Sequence, residues 1–293
     1  QWLMVTFLFL VFFVEPFTRQ MELFGWADGP RRFGNFVHAS SLSIDPQGNI
    51  YVADAGNNRI LKFSPGGKFL AEVGGYGWGE QEFDRPYDVS ATSGLNVFVA
   101  DYGNHRIQRY DRSFNFISTL YTREDADAAK RFGYPTAIAL SRQGDLFVAD
   151  GENNRILKIT PFNTVERLFG GFDAGLGRLI RPRQIEVGPH DWVYVLDEQQ
   201  VVVFDYFGNY VRTIGTTVLR QPTGLTFDDH LYVADGETIH VFDESGKFVE
   251  SITVAELVQS ESMPVSIIDV GIYRSSLYIL TPTELLLSSR QVK

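Results

Sequence analysis

The sequence predicts an all-β protein, a six-bladed β-propeller of four-stranded antiparallel blades that is closed by an N-terminal strand and preceded by an N-terminal hydrophobic helix. Three observations predict this fold class. A strand–turn–strand unit recurs six times at intervals of about 40 to 50 residues. Further strand-like segments flank each copy, which gives four strands per unit. The sixth unit lacks its fourth strand, and a similar segment stands ahead of the first unit.

The best-preserved part of the unit is a pair of short apolar strands around a turn that contains Asp, Gly and Asn. In the first copy it reads IYVADAGNNRILKF, from Ile50 to Phe63. β-Branched and aromatic residues favour strands, and the Asp/Gly/Asn cluster favours a turn. The later copies, of which the last three agree less well, begin at Val97, Leu146, Val193, Leu231 and Leu277.

We call these two strands b and c, the strand ahead of them a, and the strand after them d. Strand a begins with proline in five units and with Ala39 in the first. In the sixth unit, the proline marker Met263-Pro264 predicts strand a at Val265 to Val270. Four-stranded units at this period are typical of propeller blades.

The missing strand d of the sixth unit is assigned to Gln20 to Gly25. Its sequence resembles the fourth strand at Thr164 to Gly171. Pairing with Glu284 to Ser288 would close the ring and cover the two strand edges that otherwise promote aggregation.

An apolar stretch from Trp2 to Val14, with Thr6 as its one polar residue, stands ahead of the repeats. As a helix it would span about 20 Å, less than the ~30 Å of a bilayer core. No small-x-small cleavage motif follows it, which favours an uncleaved signal anchor over a removed secretory signal. A tail folded onto the domain is the third reading. We interpret residues 1–18 as a membrane anchor segment and residues 19–293 as the propeller.

Composition limits the function. The net charge is −10 and the pI is about 5.0, which disfavours general binding to nucleic acid. The chain has no cysteine, which excludes disulfides, thiolate metal sites and haem attachment.

The units resemble NHL repeats, whose pattern is a proline, an apolar strand and then V-A-D-x-x-N-x-R-I. Three copies carry the Asp, Asn and Arg of that pattern: Asp54, Asn57 and Arg59, then Asp101, Asn104 and Arg106, then Asp150, Asn153 and Arg155. The resemblance implies a six-bladed propeller. It implies no single function, because members include interaction modules, RNA-binding domains and a metal-dependent lyase.

The recurring carboxylates and guanidinium groups are expected to be structural, because Asp accepts hydrogen bonds from turn amides and Arg bridges neighbouring turns. These residues are Asp54, Arg59, Asp101, Arg106, Asp150 and Arg155.

Residues that depart from the repeat are the better functional candidates. The starts of the a strands are expected to line the channel mouth, where the two successive positions after the proline include Val265 and Ser266 in the sixth unit. The predicted mouth residues are His38, Tyr87, Asp88, Arg183 and Gln184. On the long d-to-a loops, Tyr76, Trp78 and Phe172 are predicted to be exposed and to contact a partner.

We therefore predict a membrane-anchored, extracytoplasmic propeller, in the bacterial periplasm, that acts as a non-enzymatic scaffold subunit. Its expected partners are an integral membrane protein complex and the lipid bilayer, with no nucleic acid and no defined small molecule. We assign no catalytic residue, cofactor or metal, because the five histidines occupy different positions in their blades. The alternative is a hydrolase or lyase with a site around His38, Asp88 and Arg183.

Overall fold

The computed structural model describes residues 31–254 and 266–289. In these ranges the chain forms six antiparallel sheets of four strands. The six-bladed propeller predicted from the repeat is therefore confirmed.

The strands follow one another blade by blade. The first strand, β1 (Arg31–Phe33), belongs to blade 6. Blade 1 contains β2 (Ala39–Ile44), β3 (Ile50–Asp54), β4 (Arg59–Phe63) and β5 (Phe69–Gly74). Blade 2 contains β6 (Pro86–Ser90), β7 (Asn96–Asp101), β8 (Arg106–Asp111) and β9 (Phe116–Leu120). Blade 3 contains β10 (Pro135–Leu140), β11 (Leu146–Asp150), β12 (Arg155–Ile159) and β13 (Val165–Phe169).

The second half of the ring repeats this order. Blade 4 contains β14 (Pro182–Val187), β15 (Val193–Asp197), β16 (Gln200–Phe204) and β17 (Tyr210–Ile214). Blade 5 contains β18 (Pro222–Phe227), β19 (Leu231–Asp235), β20 (Thr238–Phe242) and β21 (Phe248–Thr253). Blade 6 contains β22 (Asp269–Tyr273), β23 (Ser276–Leu280) and β24 (Leu285–Ser289), with β1 as its outermost strand.

The core lies between neighbouring blades. Each of six apolar clusters joins two adjacent blades, and one of them joins blade 6 to blade 1. Strand b is buried on both faces in blades 1, 3, 4 and 5, which explains its continuous apolar sequence. Packing therefore closes the ring.

The N-terminus supplies the closing strand, but the predicted segment is wrong. β1 pairs with β24, with Arg31 opposite Leu287 and Phe33 opposite Leu285. The assigned residues, Gln20 to Gly25, lie outside the described part of the chain. The sequence pattern does not mark β1 as a strand, because two of its three residues are exposed arginines. Only Phe33 turns inward, where its ring centroid lies 5.4 Å from that of Phe63.

Strand a of blade 6 is also displaced from its predicted position. It begins at Asp269, not at Val265, and Asp269 lies opposite Leu280 as Asp88 lies opposite Ala100 in blade 2. The buried Ile267 takes the place that proline has elsewhere, so Pro264 was a misleading marker. The channel positions assigned to Val265 and Ser266 therefore belong to Ile268 and Asp269.

No helix within residues 31–254 and 266–289 is long and apolar enough to cross a membrane. The N-terminal hydrophobic helix expected at Trp2 to Val14 lies outside the described residues.

Candidate functional site

The propeller has two ends of different character. Because neighbouring strands are antiparallel, the d-to-a connections and the b-to-c turns meet at one end, which we call the loop face. The a-to-b and c-to-d turns meet at the other end, which we call the turn face. The channel runs between them along the a strands.

The repeated Asp residues tie the loop face together. In blade 2, buried Asp101 accepts a hydrogen bond from the backbone N–H of Asp84 (2.8 Å), just ahead of strand a, and one from Asn104 Nδ2 (2.8 Å). It also pairs with Arg106 at 2.7 Å. Blades 1 and 3 repeat the ion pair with Asp54–Arg59 at 2.9 Å and Asp150–Arg155 at 3.0 Å. These carboxylates have their oxygens occupied by partners inside their own blade.

Blades 4 and 5 keep the carboxylate but change its partner. Asp197 accepts from the backbone N–H of Arg181 (2.6 Å), and Asp235 accepts from that of Gln221 (2.6 Å). The place of the Arg is taken by Gln200 (3.5 Å) in blade 4 and by His240 (3.4 Å) in blade 5. Gln200 lies opposite Asp197 in the register that Arg has in blades 1 to 3, whereas His240 lies two residues further along strand c.

At the channel mouth, hydroxyl groups connect adjacent blades across every second blade interface. The first residue after the proline position donates to a backbone carbonyl of the next blade in three cases. Ser40 donates to Pro86 (3.2 Å), Thr136 to Pro182 (2.8 Å) and Thr223 to Ile267 (2.8 Å). These bonds cross the interfaces of blades 1 and 2, 3 and 4, and 5 and 6.

Carboxyl and amide groups cross the other three interfaces. Asp88 accepts from the backbone N–H of Ile138 (2.7 Å), and Asp269 accepts from that of Leu42 (2.9 Å). Between blades 4 and 5, the side-chain oxygen of Gln184 accepts from the backbone N–H of Leu225. Asp88 and Gln184, predicted as mouth residues, thus hold neighbouring a strands together.

Gln184 also reaches across blade 5 to blade 6. Its Nε2 lies 3.0 Å from both Oδ1 and Oδ2 of Asp269. The intervening strand carries Gly224 at this position, and a Cβ there would come within 2.3 Å of Asp269 Oδ1. Glycine is therefore required for this contact.

Three channel carboxyls, on blades 2, 4 and 6, lie in an environment that favours their protonated forms. Burial raises the pKa of Asp88 to about 7 and that of Asp269 to about 8. Burial, followed by repulsion from Asp269 and Asp88, raises the pKa of Glu186 to about 8. No ion pair or hydrogen bond of the Glu186 carboxyl occurs within the described residues. The sequence pattern did not select Asp269, because strand a of blade 6 was predicted at Val265 to Val270. It did not select Glu186, because this residue lies deeper in the channel than the two positions that follow the proline.

A cavity of about 600 Å³ opens at the loop-face end of the channel. It contains the five predicted mouth residues, His38, Tyr87, Asp88, Arg183 and Gln184. Arg85, Arg181 and Tyr102, which the prediction did not select, also line it. Tyr87 and Tyr102 stack at 5.5 Å, and the Arg85 guanidinium lies 5.3 Å from the Tyr102 ring.

The predicted loop residues lie outside this cavity, on the same face. Tyr76 and Trp78 are 76% and 61% exposed, on the connection between blades 1 and 2. Phe172 is 76% exposed on the connection between blades 3 and 4, with Arg178 4.5 Å from its ring.

Strand β8 holds the Tyr76–Trp78 loop firmly. Arg106 donates to the backbone carbonyls of Trp78 (2.7 Å), Gly79 (3.0 Å) and Glu82 (2.9 Å). Two further side chains of the strand, Gln108 and Tyr110, donate to carbonyls of the same loop. The aromatic side chains therefore stand on a backbone that is fixed at several points.

Among the described residues of the cavity, Ser41 is in side-chain hydrogen-bond contact with Asp88, but His38 is not paired with a nucleophile. In the described ranges, no hydrogen bond joins His38 to a hydroxyl or carboxyl group, and no three His, Asp or Glu side chains form a group that could hold a metal ion. The arrangement offers positive charge, aromatic surface and hydrogen-bond donors to a ligand.

Comparison with known proteins identifies the repeat. The NHL repeat model matches residues 36–63, 83–110 and 132–159, which run from the loop ahead of strand a to strand c in blades 1, 2 and 3. The resemblance seen in the sequence is thus confirmed. The Drosophila melanogaster protein brain tumor is 28% identical over 102 residues, which are 33% of this chain and 10% of that protein. The chain aligns with about a tenth of the length of this curated relative.

Solved structures share the fold. Virginiamycin B lyase from Staphylococcus aureus superposes with a TM-score of 0.63 and 13% identity, covering 90% of this chain and 99% of the lyase. A gluconolactonase from Xanthomonas campestris superposes with a TM-score of 0.65 and 14% identity, covering 91% of this chain and 97% of that enzyme. At such identities the likeness shows the fold alone.

Proposed function

We propose, from the premise that this chain is a six-bladed β-propeller with NHL repeats in blades 1 to 3, that it is a non-enzymatic interaction subunit of a membrane protein complex. The observation that carries the proposal is the exposed pair Tyr76 and Trp78 on a loop fixed by Arg106, Gln108 and Tyr110. Aromatic side chains on a preorganised backbone are typical of interface hot spots, because little conformational freedom is lost on binding.

The rest of the loop face supports the same role. Phe172 adds a third exposed ring, next to Arg178, and Tyr134 adds a partly exposed ring 5.1 Å from Tyr102. Aromatic residues and arginine are enriched at protein interfaces, whereas lysine and glutamate are depleted there. The partner would cover the loops of blades 1 to 4 and the channel mouth between them.

The membrane part of the proposal rests on the sequence. Trp2 to Val14 would anchor the chain, with the propeller on the extracytoplasmic side, in a bacterial periplasm. Since the closing strand begins at Arg31, residues 19–30 separate the anchor segment from the propeller and would span at most about 40 Å if extended. This is a longer tether than the sequence predicted. Anchoring would raise the effective concentration of the loop face for a neighbouring membrane protein.

The test is capture of partners from solubilised membranes in mild detergent. We expect the tagged chain to fractionate with membranes and to retain specific proteins. Trp78→Ala with Tyr76→Ala should reduce that retention at least tenfold. The matched control is Phe162→Ala, which removes an 89% exposed ring from a turn-face loop. Equal losses in both variants, or release of the intact chain into the soluble fraction, would contradict the proposal.

The second candidate is a hydrolase or lyase, and the specific observation that favours it is the cavity shared by His38, Asp88 and Arg183. Two similar folds are enzymes by name, a lyase and a gluconolactonase. Asp88→Asn separates the two roles: the enzyme hypothesis predicts loss of turnover on a gluconolactone or on virginiamycin B, whereas the interaction proposal predicts that there is no turnover to lose.

A further inference from the structure

We infer that the channel-mouth cavity binds carboxylate side chains of an acidic peptide segment of the partner. This rests on the proposed function in one respect, that the partner is a protein. Positively charged side chains line the cavity, although the net charge of the chain is −10. Arg85, Arg181, Arg183 and His38 line it, and Asp88 is the one acidic residue among the described residues of the lining.

The guanidinium groups in the cavity are available to a ligand. Within the described ranges, Arg181 and Arg183 form no ion pair through their side chains. Arg85 has a 3.4 Å contact with Asp84, in which the arginine side chain is 60% exposed. Such an exposed pair is weak and exchanges readily for a better one. A guanidinium presents paired N–H groups that match the two oxygens of a carboxylate.

In the described ranges, neither Asp88, which lines the cavity, nor Asp269, which contacts the lining residue Gln184, forms an ion pair with these arginines. The Asp88 carboxyl accepts backbone N–H groups of Ile138 and Val89, and Asp269 accepts those of Leu42 and Val270 together with Gln184. Their oxygens therefore already accept hydrogen bonds from the a strands and from Gln184. Burial also raises the pKa of Asp88 and that of Asp269 above the ordinary range of an aspartate, which reduces their negative charge near neutral pH.

The geometry favours a short acidic peptide over a nucleic acid. A polyanion would extend over a chain of strong overall negative charge, and affinity for it requires many phosphate contacts. A peptide needs to place only one or two carboxylates in the cavity. The stacked Tyr87 and Tyr102 give its apolar atoms a wall to pack against, and the open side leads directly to the exposed loops of the proposed interface.

The experiment uses the full chain in mild detergent and two fluorescein-labelled, capped hexapeptides, one alternating Glu and Ala and one alternating Gln and Ala. Fluorescence anisotropy should show the Glu peptide binding at least tenfold more tightly at 50 mM NaCl. Raising the salt to 300 mM should weaken it. Arg183→Gln should weaken it at least tenfold, whereas Arg142→Gln, an exposed arginine at the other end of the channel, should leave it unchanged.

Three results would overturn the inference. They are equal binding of both peptides, equal effects of Arg183→Gln and Arg142→Gln, and tighter binding of a labelled hexauridylate than of the Glu peptide. Thermal unfolding of Arg183→Gln at the wild-type temperature shows that a loss of binding is not a loss of fold. If Trp78→Ala abolishes partner capture while Arg183→Gln leaves peptide binding intact, this inference fails and the proposed function stands.

Discussion

Blades 1 to 3 and blades 4 to 6 differ in the side chains that join the b-to-c turn to the loop ahead of the blade. In the first half, each repeat Asp pairs with an Arg at 2.7 to 3.0 Å, and that Arg extends to the loop ahead of its blade. In the second half, Gln200 and His240 replace the Arg in blades 4 and 5, and Thr281 replaces the Asp in blade 6. The loop with Tyr76 and Trp78 lies ahead of blade 2, which has a complete network, whereas the loop with Phe172 lies ahead of blade 4, where Asp197 contacts Gln200 instead of an Arg.

The difference indicates what the network does. In blades 1 to 3 the Arg links the Asp to backbone carbonyls of the loop ahead of its blade, whereas in blades 4 and 5 the Asp itself accepts from the backbone N–H groups of that loop. The candidate functional residues of the channel do not follow this division into halves. Each of them differs from the residue at the same position in neighbouring blades. Glu186 and Asp269 lie in the half with weaker repeats, and Asp88 lies in the half with strong ones.

The largest expected effect concerns blade 6, the blade that takes its fourth strand from the N-terminus. Deletion of residues 1–33 removes β1 and the Phe33–Phe63 contact, and leaves β24 as an open edge. We expect loss of cooperative unfolding, or a fall of several kcal/mol (about 3 or more) in the free energy of unfolding. Deletion of residues 1–25 should have little effect. Urea denaturation followed by circular dichroism measures both, and equal stability of the two truncated chains would exclude β1 as the closing strand.

The next largest effect is expected for the repeat Asp residues, and it should be greater for an Asp that pairs with Arg than for one that contacts His. Asp101→Ala leaves buried Arg106 without its carboxylate and the Asp84 amide without an acceptor, so we expect a loss of about 3 kcal/mol. Asp235→Ala loses backbone bonds and a longer contact with His240, for which about 1.5 kcal/mol is expected. Urea unfolding midpoints at constant slope provide the comparison. A greater loss in Asp235→Ala would show that the Arg adds nothing to the network.

The fold could be predicted because its strand pattern repeats along the chain. The two errors in the predicted strand positions occurred where a strand lacks the proline or the apolar alternation that marks the other copies. Pro264 stands ahead of the true strand a of blade 6, and Ile267 occupies the proline position. β1 shows too little apolar alternation to read as a strand. The mouth residues were predictable from their positions after the proline. The unpaired state of Arg183 and the contact of Gln184 with Asp269 depend on distances between blades, which a sequence pattern does not contain.

A smaller effect is expected for the isolated acid of blade 4. The folded-state pKa of Glu186 is about 8, so between its ordinary value of 4.5 and pH 8 the folded protein keeps a proton that the unfolded chain loses. The free energy of unfolding therefore falls as pH rises through that window. Glu186→Gln removes this penalty and should stabilise by about 1 to 3 kcal/mol at pH 9, with no gain at pH 4.

The control for that experiment is Glu124→Gln, an exposed glutamate on the connection between blades 2 and 3. Its unfolding free energy should stay within about 0.5 kcal/mol of the wild type at both pH values. Stabilisation of Glu186→Gln that is the same at pH 4 and pH 9 would mean that the carboxyl is not the source of the effect.

The most direct test of the central claim, that the loop face is a protein interface, is photo-crosslinking in intact membranes. A photoreactive amino acid is placed at Tyr76 in one chain and at Phe162 in another, since both rings are highly exposed and lie on opposite faces. We predict a discrete crosslinked product with a membrane protein from Tyr76 and none from Phe162. Crosslinks of equal yield from both positions, or none from Tyr76, would contradict the account.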